Sequence, residues 1–253
     1  MDATAGYREA TYAVWRAEAL VHGGEVAEMD GLLLFYTGIP VQYWNGVYVT
    51  AIPPDPRQAL SRIPEWFAER TLPYGVLVPV ELEPEVAAAA GATGLRLAAV
   101  QRCMVATRAT FTPPDVATPG LEIRRTGPAD LEDFLAVQVQ AFGMEPRTAR
   151  DFLVPPVGQP GWTHLTSYED GVPVVTAIGV RTGDAIGVYG VGTVGTARRR
   201  GYGAALTAQI LREAFASGAT FAHLNPSELG AAMYRRLGFR EVGGFAIWLP
   251  RDP

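Results

Sequence analysis

The chain has 253 residues, 48% of them hydrophobic, with a formal net charge of −5, and all 21 basic residues are arginine. The length admits one large domain or two of moderate size, and the missing basic surplus argues against a nucleic-acid partner. No run approaches the roughly 18 apolar residues of a membrane span and no secretory leader is visible. Cys103 is alone and His22, His164 and His223 are scattered, so no metal is expected and the plain expectation is a cytoplasmic protein without membrane contact.

In chain order, EPEVAAAAGATGLRLAAVQRCMVAT (residues 83–107) reads as a short helix, a glycine and a strand. The stretch TFTPPDVATPG (110–120) has no apolar periodicity and reads as a linker. Domains are therefore expected at 1–112 and 121–253, joined by 113–120. ADLEDFLAVQVQAFG is predicted as an amphipathic helix with Leu131, Phe134, Leu135 and Val139 on one face. Three strands follow, separated by turns at Glu169-Asp170-Gly171 and Thr182-Gly183-Asp184. A helix is predicted from about Ala204 to Ala216, striped by Leu206, Ile210 and Ala214. TFAHLN is then a strand and Ser227–Leu237 a helix ended by Gly238, with Leu229, Met233 and Leu237 as its core stripe.

The two halves end alike. Gly94-Leu95-Arg96 matches Gly238-Phe239-Arg240 at an offset of 144, Ala59-Leu60 matches Ala205-Leu206 at 146, and Leu77-Val78-Pro79 matches Leu224-Asn225-Pro226 at 147. Near-equal offsets in sequence order suggest a divergent tandem repeat. The fold class expected is α/β, a mixed and mostly antiparallel sheet flanked by helices, duplicated in tandem.

The stretch VYGVGTVGTARRRGYGAALTAQIL (188–211) contains two phosphate-binding spellings. Gly190, Gly192 and Gly195 fit G-x-G-x-x-G, which requires a helix opening at the third glycine. That would place Gly201 and Gly203 inside the helix, each costing about 1 kcal/mol relative to alanine. Arg198, Gly201 and Gly203 fit R-x-x-G-x-G immediately before a helix. Main-chain N–H groups there lack intrahelical partners, and glycines let them close on an anion. The second spelling is preferred; a solvated basic turn explains its arginines but not both glycines.

VGTVGTARRRGYGAALT resembles the coenzyme A loop of GNAT-type N-acetyltransferases, and LNPSELGAAMYRRLGF resembles the same superfamily's later Y-x-x-x-G-F motif. The resemblance covers about Leu121 to Leu249. It implies an acetyl-CoA-dependent N-acetyltransferase that moves an acetyl group to a small-molecule or peptide amine by direct attack on the thioester. It further implies that the strand segment Val191, Gly192 and Thr193 pairs with the pantetheine arm. Arg198, Arg199, Arg200, Gly201, Tyr202, Gly203 and Ala204 would hold the pyrophosphate, and Asn225 would contact the cofactor's arm. Ser227 is either a ligand or a plain helix cap. Tyr234 would protonate the departing thiolate, with Gly230 and Ala231 on its face leaving it room.

The general base is left unnamed. The strand AIGVYGVGT carries no carboxylate; Asp184, Tyr189, His164 and Glu169 are candidates, and a water relay or an already neutral amine needs none. At the repeat offset, Arg198–Gly203 corresponds to Ile52, Pro53, Pro54, Asp55, Pro56 and Arg57, and Tyr234 to Ala90. The first half therefore reads as a degenerate unit with a structural role. Tyr43 and Trp44 there, and Phe142, Met144, Trp162 and Tyr168 in the second half, are candidates for lining an acceptor cleft or for packing. A homodimer is left open. The alternative function is a non-catalytic acyl-CoA sensor.

Overall fold

The computed structural model describes residues 3–114, 118 and 120–251. In chain order its helices and strands are α1 (Ala3–Val21), β1 (Glu25–Met29), β2 (Leu32–Tyr36), β3 (Asn45–Val49), α2 (Pro56–Ser61), α3 (Ile63–Ala68), β4 (Gly75–Pro79), α4 (Glu83–Ala92) and β5 (Leu95–Thr107). There follow β6 (Leu121–Arg125), α5 (Leu131–Phe142), α6 (Pro146–Leu153), β7 (Trp162–Glu169), β8 (Val172–Thr182), β9 (Ala185–Thr193), α7 (Tyr202–Ala216), β10 (Phe221–Leu224), α8 (Glu228–Arg236) and β11 (Arg240–Pro250). Contacts divide the chain into Met1–Cys103 with Val242–Pro253, and Met104–Glu241.

In the first unit β1, β2 and β3 form an antiparallel meander. β3 pairs in parallel with β4 across the crossover α2–α3, and β4 pairs antiparallel with β11 through Phe245 opposite Pro79. The period of two sorts the side chains. Leu32, Leu34, Val47, Val49, Val76 and Val78 share one buried cluster with Leu60, Phe67 and Val86 from the helices. Phe35, Tyr48 and Phe245 instead form an aromatic cluster with Tyr12 and Trp15 of α1. Each fully buried large apolar side chain contributes about 1.5–3 kcal/mol, so a strand clad on both faces is strongly held.

In the second unit β10 lies antiparallel to Met104–Thr107 of β5 and parallel to β9, and β9, β8, β7 and β6 continue as antiparallel neighbours. The expected stripe Leu206, Ile210 and Ala214 is buried. α7 covers one face of the sheet, with Ile210 against Gly179, while α5 covers the other, with Gln138 on Thr176.

The contact units differ from the expected domains 1–112 and 121–253. β5, which ends the first half, delivers its last residues to β10, and β11, which ends the second, delivers Phe245–Trp248 to β4. Each unit is thus closed by a strand from the other half of the sequence. Of the expected linker 113–120, residues 115–117 and 119 lie outside the described residues. The order β3–α2–β4–α4–β5 recurs as β9–α7–β10–α8–β11, which fits duplication in tandem.

Candidate functional site

The site grows from an irregularity in β9. Thr176 of β8 pairs with Gly192 and Ile178 with Tyr189, so Gly190 and Val191 face the single residue Ala177. This is a β-bulge, and Gly190 takes the positive φ of 55° that the bulge requires. Past it, Val194 donates its N–H to the Val174 carbonyl. By the antiparallel alternation, the N–H groups of Val191 and Thr193 therefore point away from β8. They point to the side where β10 has stopped pairing, because the parallel register ends at His223 opposite Gly187. β9 runs on for six residues beyond that point, without β10 as a ladder partner on that side.

The loop after β9 turns through a short 3₁₀ segment at Gly195–Ala197 and reaches α7 at Tyr202. The helix starts two residues earlier than expected from the sequence, which places Gly203 in its first turn. Gly195 opens no α-helix, so the G-x-G-x-x-G spelling has no structural counterpart. Its first two glycines serve packing: a Cβ at Gly192 would lie 2.7 Å from Phe142 Cε2, and one at Gly190 2.9 Å from Gln138 Nε2.

Arg199 and Gly201 have φ of 64° and 84°. A non-glycine residue in the left-handed region costs about 1–3 kcal/mol and persists only where its surroundings impose it. Such alternation turns successive N–H groups inward as an anion-binding concavity. The first bond within α7 runs from Ala205 to Gly201, so the N–H groups of Tyr202, Gly203 and Ala204 have no acceptor within the helix. They add the positive end of a 15-residue helix. A Cβ at Gly203 would stand 3.5 Å from Val191 Cγ1 and Met233 Sδ and 3.7 Å from Thr193 Oγ1. The glycine keeps clear the space between strand end, helix start and α8.

The three arginines are not equivalent. Arg198 Nε donates to the Thr193 carbonyl at 3.1 Å and pins the loop to the strand. Arg200 is engaged by Glu169, which also accepts from Tyr202 Oη at 2.5 Å. These bonds, from Tyr202 first and then Arg200, hold the Glu169 carboxyl below its usual range. Arg200 therefore braces the loop through a carboxylate instead of presenting a free guanidinium to an anion.

On α8 the sequence expectation needs correcting. The buried stripe is Ala231, Tyr234 and Leu237, whereas Leu229 is 92% exposed. The helix begins only after Ser227, so Leu229 falls in the first turn and faces solvent. Ser227 Oγ accepts from the Gly230 N–H at 3.2 Å, which makes it the helix cap. Tyr234 packs over Gly230 and meets Phe239 edge-on at 5.7 Å. Burial pushes its phenol up to about 12. Asn225 follows the end of β10.

None of the base candidates is placed well. Glu169 is consumed as described. Asp184 lies at the opposite end of β9 and accepts from Thr220. His164 is buried between Phe134 and Trp162, and burial lowers its pKa to about 4. Tyr189 folds back over Gly187 toward His223. Of the cleft candidates, Tyr168 is held by Asp130 and Asp133 and Trp162 stacks on His164, whereas Phe142 is half-exposed beside Gly192. The residue that sequence reasoning missed is Gln138, buried in the apolar face of α5 and bonded to the bulge. A polar residue four positions from Phe134 and three from Leu135 was the available signal.

The equivalent positions of the first unit are closed. Asp55 caps α2 at the same offset of 146 that Gly201 bears to α7, and its carboxylate accepts from the Gln58 N–H. β3 stays paired with β4 up to Tyr48 opposite Leu77, within one residue of its end. Ala90, opposite number of Tyr234, is fully buried. Tyr43 is exposed, in a 3₁₀ turn with Trp44.

Among the described residues no group of histidine, cysteine, aspartate and glutamate side chains could hold a metal, and no helix is long and apolar enough to cross a membrane. Residues 122–242 match the model of the Acetyltransferase (GNAT) domain. A GCN5-related N-acetyltransferase from Kribbella flavida superposes with a TM-score of 0.79 at 23% identity, over 100% of this chain and 97% of that one. A GCN5-related N-acetyltransferase from Sphaerobacter thermophilus gives 0.68 at 20% identity over 86% and 76%. A tandem GNAT protein from the clavulanic acid biosynthesis pathway gives 0.61 at 16% identity over 88% and 79%. At these identities the structures establish the shared fold. No protein of curated function matches the sequence.

Proposed function

We propose that the second unit, whose residues 122–242 match the model of the Acetyltransferase (GNAT) domain, is an acetyl-CoA-dependent N-acetyltransferase acting on a small-molecule or peptide amine. The observation that carries this reading is the end of the β9–β10 ladder at Gly187, with the strand donors of Val191 and Thr193 turned away from β8, followed by the nest at Arg199–Gly201. When bound, acetyl-CoA supplies an acetyl group activated as a thioester for direct attack by the amine. The loop Arg198–Ala204 holds the diphosphate through main-chain N–H groups, with Arg198 and Arg200 fixing its shape. Val191, Gly192 and Thr193 align the pantetheine arm along the strand edge, and the outward N–H groups polarise the acyl carbonyl. Asn225 borders the same arm. Ser227 acts as a cap.

Tyr234 keeps its proton at Oη throughout the neutral range. Complete transfer from a phenol near 12 to a free thiolate near 8.5 would run uphill by ~5 kcal/mol. The phenol therefore serves first as a hydrogen-bond donor to sulfur as charge develops there. The first unit, with Asp55 where the second has Gly201, is structural.

The lack of a carboxylate on β9 favours one other reading, a non-catalytic acyl-CoA sensor. Calorimetric titration with acetyl-CoA, followed by thiol release across a panel of amines, tests both. Saturable binding with amine-dependent release supports the transferase, and binding without release supports the sensor. No uptake of acetyl-CoA removes both.

A further inference from the structure

Gln138 is the buried polar side chain that neither motif accounts for. It lies on the α5 face that packs against β8 and β9, 2% exposed. Its Nε2 donates to Thr176 Oγ1 at 2.9 Å and to the Gly190 carbonyl at 2.7 Å. Gly190 is the bulge residue, whose carbonyl has lost the regular ladder partner that an unbroken strand would give it. The side chain thus stands in for a missing backbone donor. One turn further on, Ala141 and Phe142 press on β9 at Gly192, where a Cβ would come within 2.9 Å of both. α5 therefore grips β9 on either side of Val191 and leaves Val191 facing Gly203.

Registers in a sheet have a period of two, so each residue that a sliding bulge passes over changes register and turns its N–H to the opposite side. We propose that Gln138 is a positioning residue, which locks the bulge at Gly190 and so keeps the N–H groups of Val191 and Thr193 turned away from β8. The geometric part stands on the bonds alone; its catalytic consequence rests on the acetyl-transfer reading.

The test uses Gln138→Met, which keeps the length of the side chain and removes the donor, in the full chain. Amide exchange read by mass spectrometry should rise at least tenfold within residues 190–193, at the Gly192 N–H that faces β8, and stay unchanged in α7. With acetyl-CoA and an accepted amine, kcat should fall about 100-fold, the scale of a ~1 Å misplacement, while the KM for acetyl-CoA moves less than about threefold. In Gln138→Glu the side chain can donate only when protonated, and the hydrogen-bond partners Thr176 and Gly190 are uncharged. Relative to the parent chain at each pH, exchange at 190–193 should then slow and kcat should recover as pH falls. Unchanged exchange at 190–193 in Gln138→Met overturns the proposal. Should that variant not fold, the absence of acid recovery in Gln138→Glu overturns it. A parent chain that takes up no acetyl-CoA defeats the functional reading instead, and the exchange result still decides the role of Gln138.

Discussion

Acidification should weaken the second unit and strengthen the first. His164 and His223 are held neutral in the second unit, each with a pKa lowered by burial to about 4. In the unfolded chain both return to about 6.5. Between those values the unfolded state binds more protons, so stability is fully present above 6.5, falls as pH drops through the window, and levels off below 4. From pH 7 to pH 5 the loss is ~2 kcal/mol per histidine, or ~4 kcal/mol for the pair, a large part of the stability of an ordinary domain. Glu18 of the first unit carries the opposite sign. Its carboxyl is buried and raised to about 8 against an ordinary value near 4.5. Its contribution is complete below 4.5 and is lost as pH rises to 8, so the same acid step adds ~2–3 kcal/mol there. Urea titrations at pH 7 and pH 5, sampled by short deuterium pulses and resolved by peptide, read the two units separately. The double variant His164→Phe, His223→Phe should flatten the slope of the second unit whatever it does to absolute stability. A change below about 1 kcal/mol in the parent's second unit, or an unaltered slope in the double variant, refutes the reasoning.

Gly203→Leu should raise helix propensity by up to ~1 kcal/mol while filling the space beside Val191 and Met233. Thermal stability is expected to hold or rise as acetyl-CoA affinity drops more than about tenfold by calorimetry. Tyr234→Phe should lower turnover at neutral pH by about 100-fold with acetyl-CoA affinity unchanged; equal turnover removes Tyr234 from the chemistry. Ser227→Ala should cost about 1 kcal/mol of stability in denaturant titration and leave the KM for acetyl-CoA within about twofold.

What was legible in the sequence follows from what is local. The turns at Asp170-Gly171 and Gly183-Asp184 punctuate β7, β8 and β9 where the spelling places them, and Asp170 and both glycines take positive φ. The R-x-x-G-x-G loop was recognisable because its chemistry sits in six consecutive residues. Long-range choices were not legible. Nothing in Phe245–Trp248 names β4 as its neighbour, since any apolar strand satisfies the same alternation. The spacing of Leu229, Met233 and Leu237 extends an apolar stripe beside Tyr234, yet a leucine in a first helical turn can be solvated. Gln138 escaped notice because amphipathic patterns count apolar residues, and its role depends on a bulge that only three-dimensional pairing creates.

The exchange of closing strands ties the birth of one unit to the completion of the other. During synthesis β4 leaves the ribosome long before Phe245, so its edge must wait without a strand partner until residues 245–248 arrive. Expressing either half by itself would leave one sheet without its last member and an adhesive margin in its place.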